Sequence, residues 1–140
     1  MGYKSFEELD CWKACREVQR AIKLIIKKLP VEEKYDLADN MKRAARSSSR
    51  NIAEGFGRYS YQENIKFCII SRGSLFELMD DLITCDEELY ITKEEYQNTR
   101  KLIDKAAALL NGYINYLNKA KSDLSRVTES TEPYLLSDNG

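Results

Sequence analysis

The sequence of 140 residues predicts an all-α fold, an antiparallel up-down-up-down four-helix bundle, and three observations predict it. Breakers are scarce, with two prolines and six glycines, and Gly2 and Gly140 sit at the termini. That is too few for a protein of many short strands and turns. Apolar residues recur at helical spacing in four successive stretches. Three of the stretches open on an S/T-x-x-E pattern, in which the hydroxyl and the carboxylate satisfy the first orphan amides of a helix.

The first helix is predicted from about Phe6 to Leu29, opened by Ser5 with Glu8 and ended by Pro30. Its apolar stripe is Phe6, Leu9, Trp12, Val18, Ile22, Ile25, Ile26 and Leu29, with charge on the other face. The second runs from about Tyr35 to Phe56 on a stripe of small residues, Leu37, Met41, Ala44, Ala45, Ser48 and Ile52. Alanine and serine there let a neighbouring helix approach closely, which makes this helix a packed central element, and Gly55 and Gly57 mark its end. The third opens on Ser60 with Glu63 and ends near Leu89. Gly73 within it costs about 1 kcal/mol of helix propensity, and is expected to permit a close backbone contact or a kink. The fourth opens on Thr92 with Glu95 and carries Tyr96, Leu102, Ile103, Ala106, Leu109, Leu110, Tyr113, Ile114 and Leu117.

This places the bundle in residues 1–120 and a polar, disordered tail in 121–140, with Tyr134-Leu135-Leu136 as a small docking point. Short connections favour antiparallel neighbours. The main alternative is a three-helix core with the first helix docked loosely. A chain of this length fits one domain, and burial of roughly two-thirds of its unfolded surface sustains one core.

Composition narrows the function classes. The chain has no histidine, the commonest general acid–base residue. It has no nucleophile elbow, phosphate loop or HExxH motif, and a di-iron bundle would need Glu-x-x-His pairs. The expectation is therefore a protein that is not an enzyme and holds no cofactor. Cys11, Cys15, Cys68 and Cys85 lack paired zinc-type spacing and read as reduced core residues rather than metal ligands. No apolar run reaches the roughly 18 residues of a membrane span. No signal-peptide pattern opens the chain, so the expected location is cytoplasmic, with no membrane partner.

Net charge is −1, so any nucleic-acid contact must come from a local patch. Lys42, Arg43, Arg46, Arg50 and Arg58 stand against one acid, Glu54, a local balance of +4. Arg43, Arg46 and Arg50 share one helix face at i, i+3 and i+7, with Lys42 at its edge. Asp80 to Glu95 holds seven acids against Lys93, a balance of −6. Three readings are open. The stripe binds phosphates, it pairs with the acidic face of another subunit, or it is an ordinary solvated face with Arg58 bonded to Glu54 at i, i+4. The last is the default for an isolated basic face. Asn51 and Glu54 read as a structural polar network closing the second helix, in which a buried carboxylate needs a partner such as Arg50, Arg58 or Arg72. Tyr59 and Tyr61 flank the second loop, where exposed rings beside Arg58 suit stacking on unpaired bases. Tyrosines also plug bundle ends.

Certain stretches are more specific than these patterns. They are Phe6-x-x-Leu9-x-x-Trp12-Lys13-x-Cys15, Leu29-Pro30, Tyr35-x-Leu37, the run Arg43-Ala44-Ala45-x-Ser47-x-x-x-Asn51-Ile52-Ala53-Glu54-Gly55-Phe56-Gly57-Arg58, and Arg72-Gly73-Ser74-Leu75-x-Glu77-Leu78. With these the chain resembles, from roughly Tyr3 to Leu117, the four-helix-bundle proteins encoded within intervening sequences of bacterial 23S ribosomal RNA genes. The resemblance implies a bundle assembled as a ring-like homopentamer. It also extends to the accessory proteins of diversity-generating retroelements, similar pentamers that bind a reverse transcriptase and RNA through basic surfaces. Family members often carry an apolar residue or proline just before the asparagine. This chain has Ser48-Ser49-Arg50 there, which adds a positive charge to the stripe.

The combined expectation is a homo-oligomer, with five subunits, that binds structured RNA. Lys42, Arg43, Arg46, Arg50, Arg58 and Arg72 are the candidate contacts. The alternative is a scaffold for a protein partner, of the reverse-transcriptase accessory type, without nucleic acid. A small-molecule-binding bundle is a weaker third reading, because the small-residue stripe disfavours a large cavity.

Overall fold

The computed structural model describes residues 2–138, with side-chain surroundings through Val127. Four helices, α1 (Asp10–Ile26), α2 (Leu37–Phe56), α3 (Tyr61–Glu87) and α4 (Lys93–Asp138), form the fold, with no strand among the described residues. Each helix packs on two neighbours in the ring α1–α2–α3–α4–α1, and across one diagonal α1 and α3 meet in the core through Cys15 and Ser71. Cross-helix bonds fix the directions. Asn40 reaches Asp81 and Ser48 reaches Ser71, so α2 and α3 run antiparallel. Asn64 meets Tyr113 and Arg72 meets Asn111, so α3 and α4 do too. Lys28 pairs with Glu95 and Lys105 with Glu17 between α4 and the α1 segment. The bundle is therefore up-down-up-down, and α1 packs on both α2 and α4 rather than docking loosely.

The first helix begins later than its spacing suggests. Phe6–Glu8 form a separate 3-10 turn, and Leu9 is extended at φ −72°, ψ 124°. Ser5 accepts from the Glu7 amide, while Glu8 accepts from the Lys4 amide, so this pattern caps the short turn and not α1. The kink drops Leu9 into the core at 2% exposure. It also lays Phe6 edge-on against Trp12 and Phe56, at 5.3 and 6.5 Å between ring centroids. At the other end α1 stops at Ile26, and single-turn bonds carry the chain to Leu29 before Pro30. Helix α2 starts at Leu37 rather than Tyr35, because Val31–Glu33 make their own 3-10 turn and Asp36 (φ −126°, ψ −97°) is not helical.

The other two capping patterns work as helix starts. Ser60 Oγ accepts from the Glu63 amide at 3.1 Å. Thr92 and Glu95 bond reciprocally, amide to side chain, at 2.8 and 3.1 Å. Helix α3 closes in a 6→1 arrangement, with the Tyr90 amide on the Cys85 carbonyl at 2.9 Å and the Leu89 amide on Asp86 at 3.1 Å. That geometry puts Leu89 at φ 62°, a left-handed position usually given to glycine. Helix α4 does not stop at Lys121. Its backbone runs on to Asp138, and every residue from Lys121 to Val127 is exposed. Polarity there removes a core partner without breaking the helix, since no glycine or proline lies between Lys121 and Thr131. The Tyr134-Leu135-Leu136 docking point lies outside the residues whose side chains are described.

The α2–α3 seam is built from small and polar residues. Ser71 Oγ donates to the Ser48 carbonyl at 2.6 Å, Ser47 and Ser74 share a hydroxyl contact at 2.8 Å, and Asn40 Nδ2 donates to Asp81 at 2.6 Å. Gly55 sits tightly against α3. A methyl group there would lie 2.8 Å from Asn64 Oδ1, 2.9 Å from Phe67 Cβ and 3.0 Å from the Asn64 carbonyl. Gly73 behaves otherwise: nothing lies within 4 Å of its missing Cβ, so it serves no close contact.

The two glycines should respond oppositely to alanine. Gly55→Ala is expected to lose about 2 kcal/mol through overpacking, and Gly73→Ala to gain up to about 1 kcal/mol of helix propensity. Chemical denaturation of both variants checks the pair. Asp81 provides a pH test. Burial pushes its carboxyl above the ordinary value of 3.8, opposed by the Asn40 bond. The folded state thus holds this proton more tightly than the unfolded chain, so the contribution of Asp81 to stability is fully present below 3.8 and is lost as pH rises through the folded value. Asp81→Asn keeps an acceptor for Asn40 and should be more stable than the wild type near neutrality. Denaturation curves should converge below pH 3.8.

Candidate functional site

Of the six cationic residues named from sequence, the fold gathers three. Lys42, Arg46 and Arg50 lie on the side of α2 that faces α1. There they meet a second row, Arg16, Arg20, Lys23 and Lys27, on α1. The main groove between the rows has a volume of about 400 Å³ and a floor of Ile22, Ile26 and Ala45. It continues past Gln19, Ser49 and Ala53 into a depression of about 330 Å³ that ends at Phe6 and Trp12. Ser49 Oγ donates to Gln19 Oε1 at 3.4 Å across the junction of the two parts.

Seven cations line this groove and no carboxylate does. All seven are exposed, and none makes an ion pair among the described residues. Arg16 lies over the Trp12 ring at 5.5 Å. On α1 the cations repeat every three or four residues, so like charges sit where opposite charges would stabilise the helix by about 0.2–0.5 kcal/mol per pair. Such an array is unfavourable alone and complementary to a polyanion.

The remaining candidates sit elsewhere. Arg43 lies about 60° round α2 from Arg46, and its guanidinium turns to Asn40 Oδ1. It lines a different depression, beside Glu33, Asp36, Asp39 and Asp81, where carboxylates already surround it. Arg58 bonds Glu54 at 3.1 Å and lies over the Phe67 ring at 4.7 Å. Arg72 donates to Asn111 at 2.9 Å on the α3–α4 face. Glu54 is exposed, so its pair with Arg58 is a surface ion pair and not a buried carboxylate rescued by a partner. Asn51 bonds back one turn to the Ser47 carbonyl and hydroxyl, both at 2.9 Å. The structure therefore does not join Asn51 and Glu54 in one network. Tyr59 is fully exposed in the loop after α2, and neither it nor Tyr61 lines the groove.

The α1 row is what sequence reading missed. Its signal was present: Arg16, Arg20, Lys23 and Lys27 stand at i, i+4, i+7 and i+11, one face of a helix. Glu17 lies beside that face in sequence, but its carboxylate turns to Lys105 on α4 at 3.8 Å.

The acidic run resolves into several local partners. Asp86 bonds Lys93 at 3.0 Å, Glu95 holds Lys28 and caps α4, and Asp81 is bonded to Asn40. Nearby, Tyr90 donates its hydroxyl to Glu33 at 2.9 Å. The four cysteines are all free and buried. Burial pushes the Cys11 and Cys68 thiols up to about 12, and those of Cys15 and Cys85 up to about 11. They are neutral thiols at physiological pH, packed as small apolar groups. Among the described residues, no three cysteine or carboxylate side chains gather so as to hold a metal ion. No described helix is long and apolar enough to cross a membrane.

The fold is similar to that of a solved structure from Bacteroides thetaiotaomicron, a protein of unknown function from the S23 ribosomal protein family. The two share 23% identity and a TM-score of 0.69 over 74% of this chain and 97% of that one. No curated protein matches the chain. Residues 7–112 match the family described as 23S rRNA-intervening sequence protein, a span that runs from the turn before α1 through α3 and into α4. The chain belongs to the family of 23S rRNA-intervening sequence proteins.

Proposed function

We propose that this protein is a non-enzymatic, self-associating cytoplasmic bundle that binds structured RNA in the groove between α1 and α2. The observation that carries the reading is the array of seven exposed cations with no carboxylate among them. Arginine forks match phosphate oxygens, and a cation that makes no ion pair among the described residues need break none to meet a phosphate. The family name ties these proteins to 23S rRNA, which makes RNA the polyanion of choice.

Self-association is supported by a different face. Ile69, Ile70 and Phe76 on α3 are 45%, 51% and 61% exposed, with Gly73 between them. Large apolar side chains grouped on one helix mark an interface. Helix α3 lies diagonally opposite α1. An assembly joined through its outer face leaves the groove open, and five subunits is the number that the family resemblance implies.

The test is fluorescence anisotropy with a folded RNA at low and moderate salt, with the mass of the same sample measured by light scattering. Affinity should fall more than about tenfold between roughly 50 and 200 mM salt as phosphate contacts release counterions. Replacing Lys42, Arg46 and Arg50 by glutamine should weaken binding about tenfold or more while helicity and mass stay unchanged. An oligomer that fails to bind RNA at low salt would overturn the RNA reading and favour a scaffold for a protein partner.

A further inference from the structure

The groove is unlike a site for unpaired bases. Proteins that hold single strands combine cations with aromatic platforms, and stacking supplies about 1–3 kcal/mol per base. Here the floor of the main groove is Ile22, Ile26 and Ala45, and no aromatic side chain lines it. Trp12, at the far end, already meets Phe6 edge-on at 5.3 Å and the Arg16 guanidinium at 5.5 Å. Base-edge readout is equally poorly served. Gln19 is the one uncharged polar side chain lining the main groove, and it already accepts from Ser49. What remains is charge in a fixed geometry. The α1 cations step along the helix at about 5–6 Å, close to the spacing of phosphates along a strand. The Lys42, Arg46 and Arg50 row runs antiparallel beside them, about 8–10 Å away between helix axes. The array spans roughly 17 Å of α1. Rigid rows of cations over an aliphatic floor match a backbone held regular by base pairing. An unpaired strand would have to give up its own conformational freedom without any stacking in return.

We infer that the ligand of the α1–α2 groove is the sugar–phosphate backbone of double-stranded RNA, recognised by shape and charge without base sequence. This rests on the reading of the groove as an RNA site. Phosphate and 2′-hydroxyl contacts across a shallow groove are how paired RNA is generally held.

The experiment uses the full chain and three labelled probes: a mixed-sequence RNA duplex about two turns long, its separate strands, and the DNA duplex of the same sequence. The RNA duplex should bind at least about tenfold more tightly than either strand, and a second duplex of scrambled sequence should bind equally. Arg20→Gln/Lys23→Gln should lower duplex affinity about tenfold or more and reduce the log–log salt slope by about 2. The control pair Arg100→Gln/Lys119→Gln, exposed on α4, should change neither. Strands that bind as tightly as the duplex would overturn the inference while leaving the RNA reading standing. DNA bound as tightly as RNA would overturn its RNA part. If no RNA form binds at low salt, the underlying reading itself fails.

Discussion

The close approach of α2 and α3 is the constraint on which the rest of the molecule depends. Gly55 has no room for a methyl group against Asn64 and Phe67. Two turns up, Ser71 gives its hydroxyl to the backbone of Ser48 instead of to its own helix. Further along, Ser47 meets Ser74 and Asn40 meets Asp81. A seam of small side chains fixes the rotation of α2 about its axis, because only one face of that helix can come so near. Once that face is committed, the side chains about a third of a turn away are fixed as well. Lys42 and Arg46 then look toward α1, and Arg43 is left beside Asn40 in the separate acidic depression.

Polar groups in this seam are affordable only because each finds a partner. Among the described residues, no buried side-chain nitrogen or oxygen lacks a hydrogen bond. A buried hydroxyl or amide without one would cost about 1–3 kcal/mol. The directional bonds therefore act as register marks on a surface where alanine and serine alone would slide. The larger side chains, Leu75, Leu78, Leu82, Leu110 and Leu117, fill the interior around them.

Charge is distributed by the same geometry. At the end of the bundle where α3 turns into α4, acids and bases are matched, as in Asp86 with Lys93 and Glu95 with Lys28. Along the α1–α2 groove they are not matched at all. Ordinary solvated surfaces mix the two signs, so a two-helix array of one sign, lined by no carboxylate among the described residues, is a feature that folding alone does not call for. Exposed apolar residues are scattered, Leu24 on α1 among them, but Ile69, Ile70 and Phe76 lie together on α3, the helix diagonal to α1. One molecule thus presents two separate surfaces of different chemistry, one apolar on α3 and one cationic between α1 and α2.

Much of this was written in the local pattern. Helical periodicity and the boxes Ser60–Glu63 and Thr92–Glu95 located α3 and α4, because capping and amphipathic spacing are short-range effects. The small-residue stripe of α2 announced a close helix pair. The N-terminal box misled, since Ser5 and Glu8 satisfy a 3-10 turn and the burial of Leu9, a tertiary demand, breaks the helix there. Glu54 and Asn51 looked coupled because they are neighbours in sequence, yet each is bonded within α2. The basic stripe was visible only as a property of one helix. Which of its cations belong together was decided by the antiparallel packing of α1 on α2. That packing brings Arg16, Arg20, Lys23 and Lys27 alongside residues 15 (Lys27 to Lys42) to 34 (Arg16 to Arg50) positions away, and it leaves Arg43, Arg58 and Arg72 with partners of their own. Sequence alone determined the helices and the charges they carry, because those follow from neighbours along the chain. The tertiary structure decided the site, because a groove exists only between two helices and its charge is the sum over both.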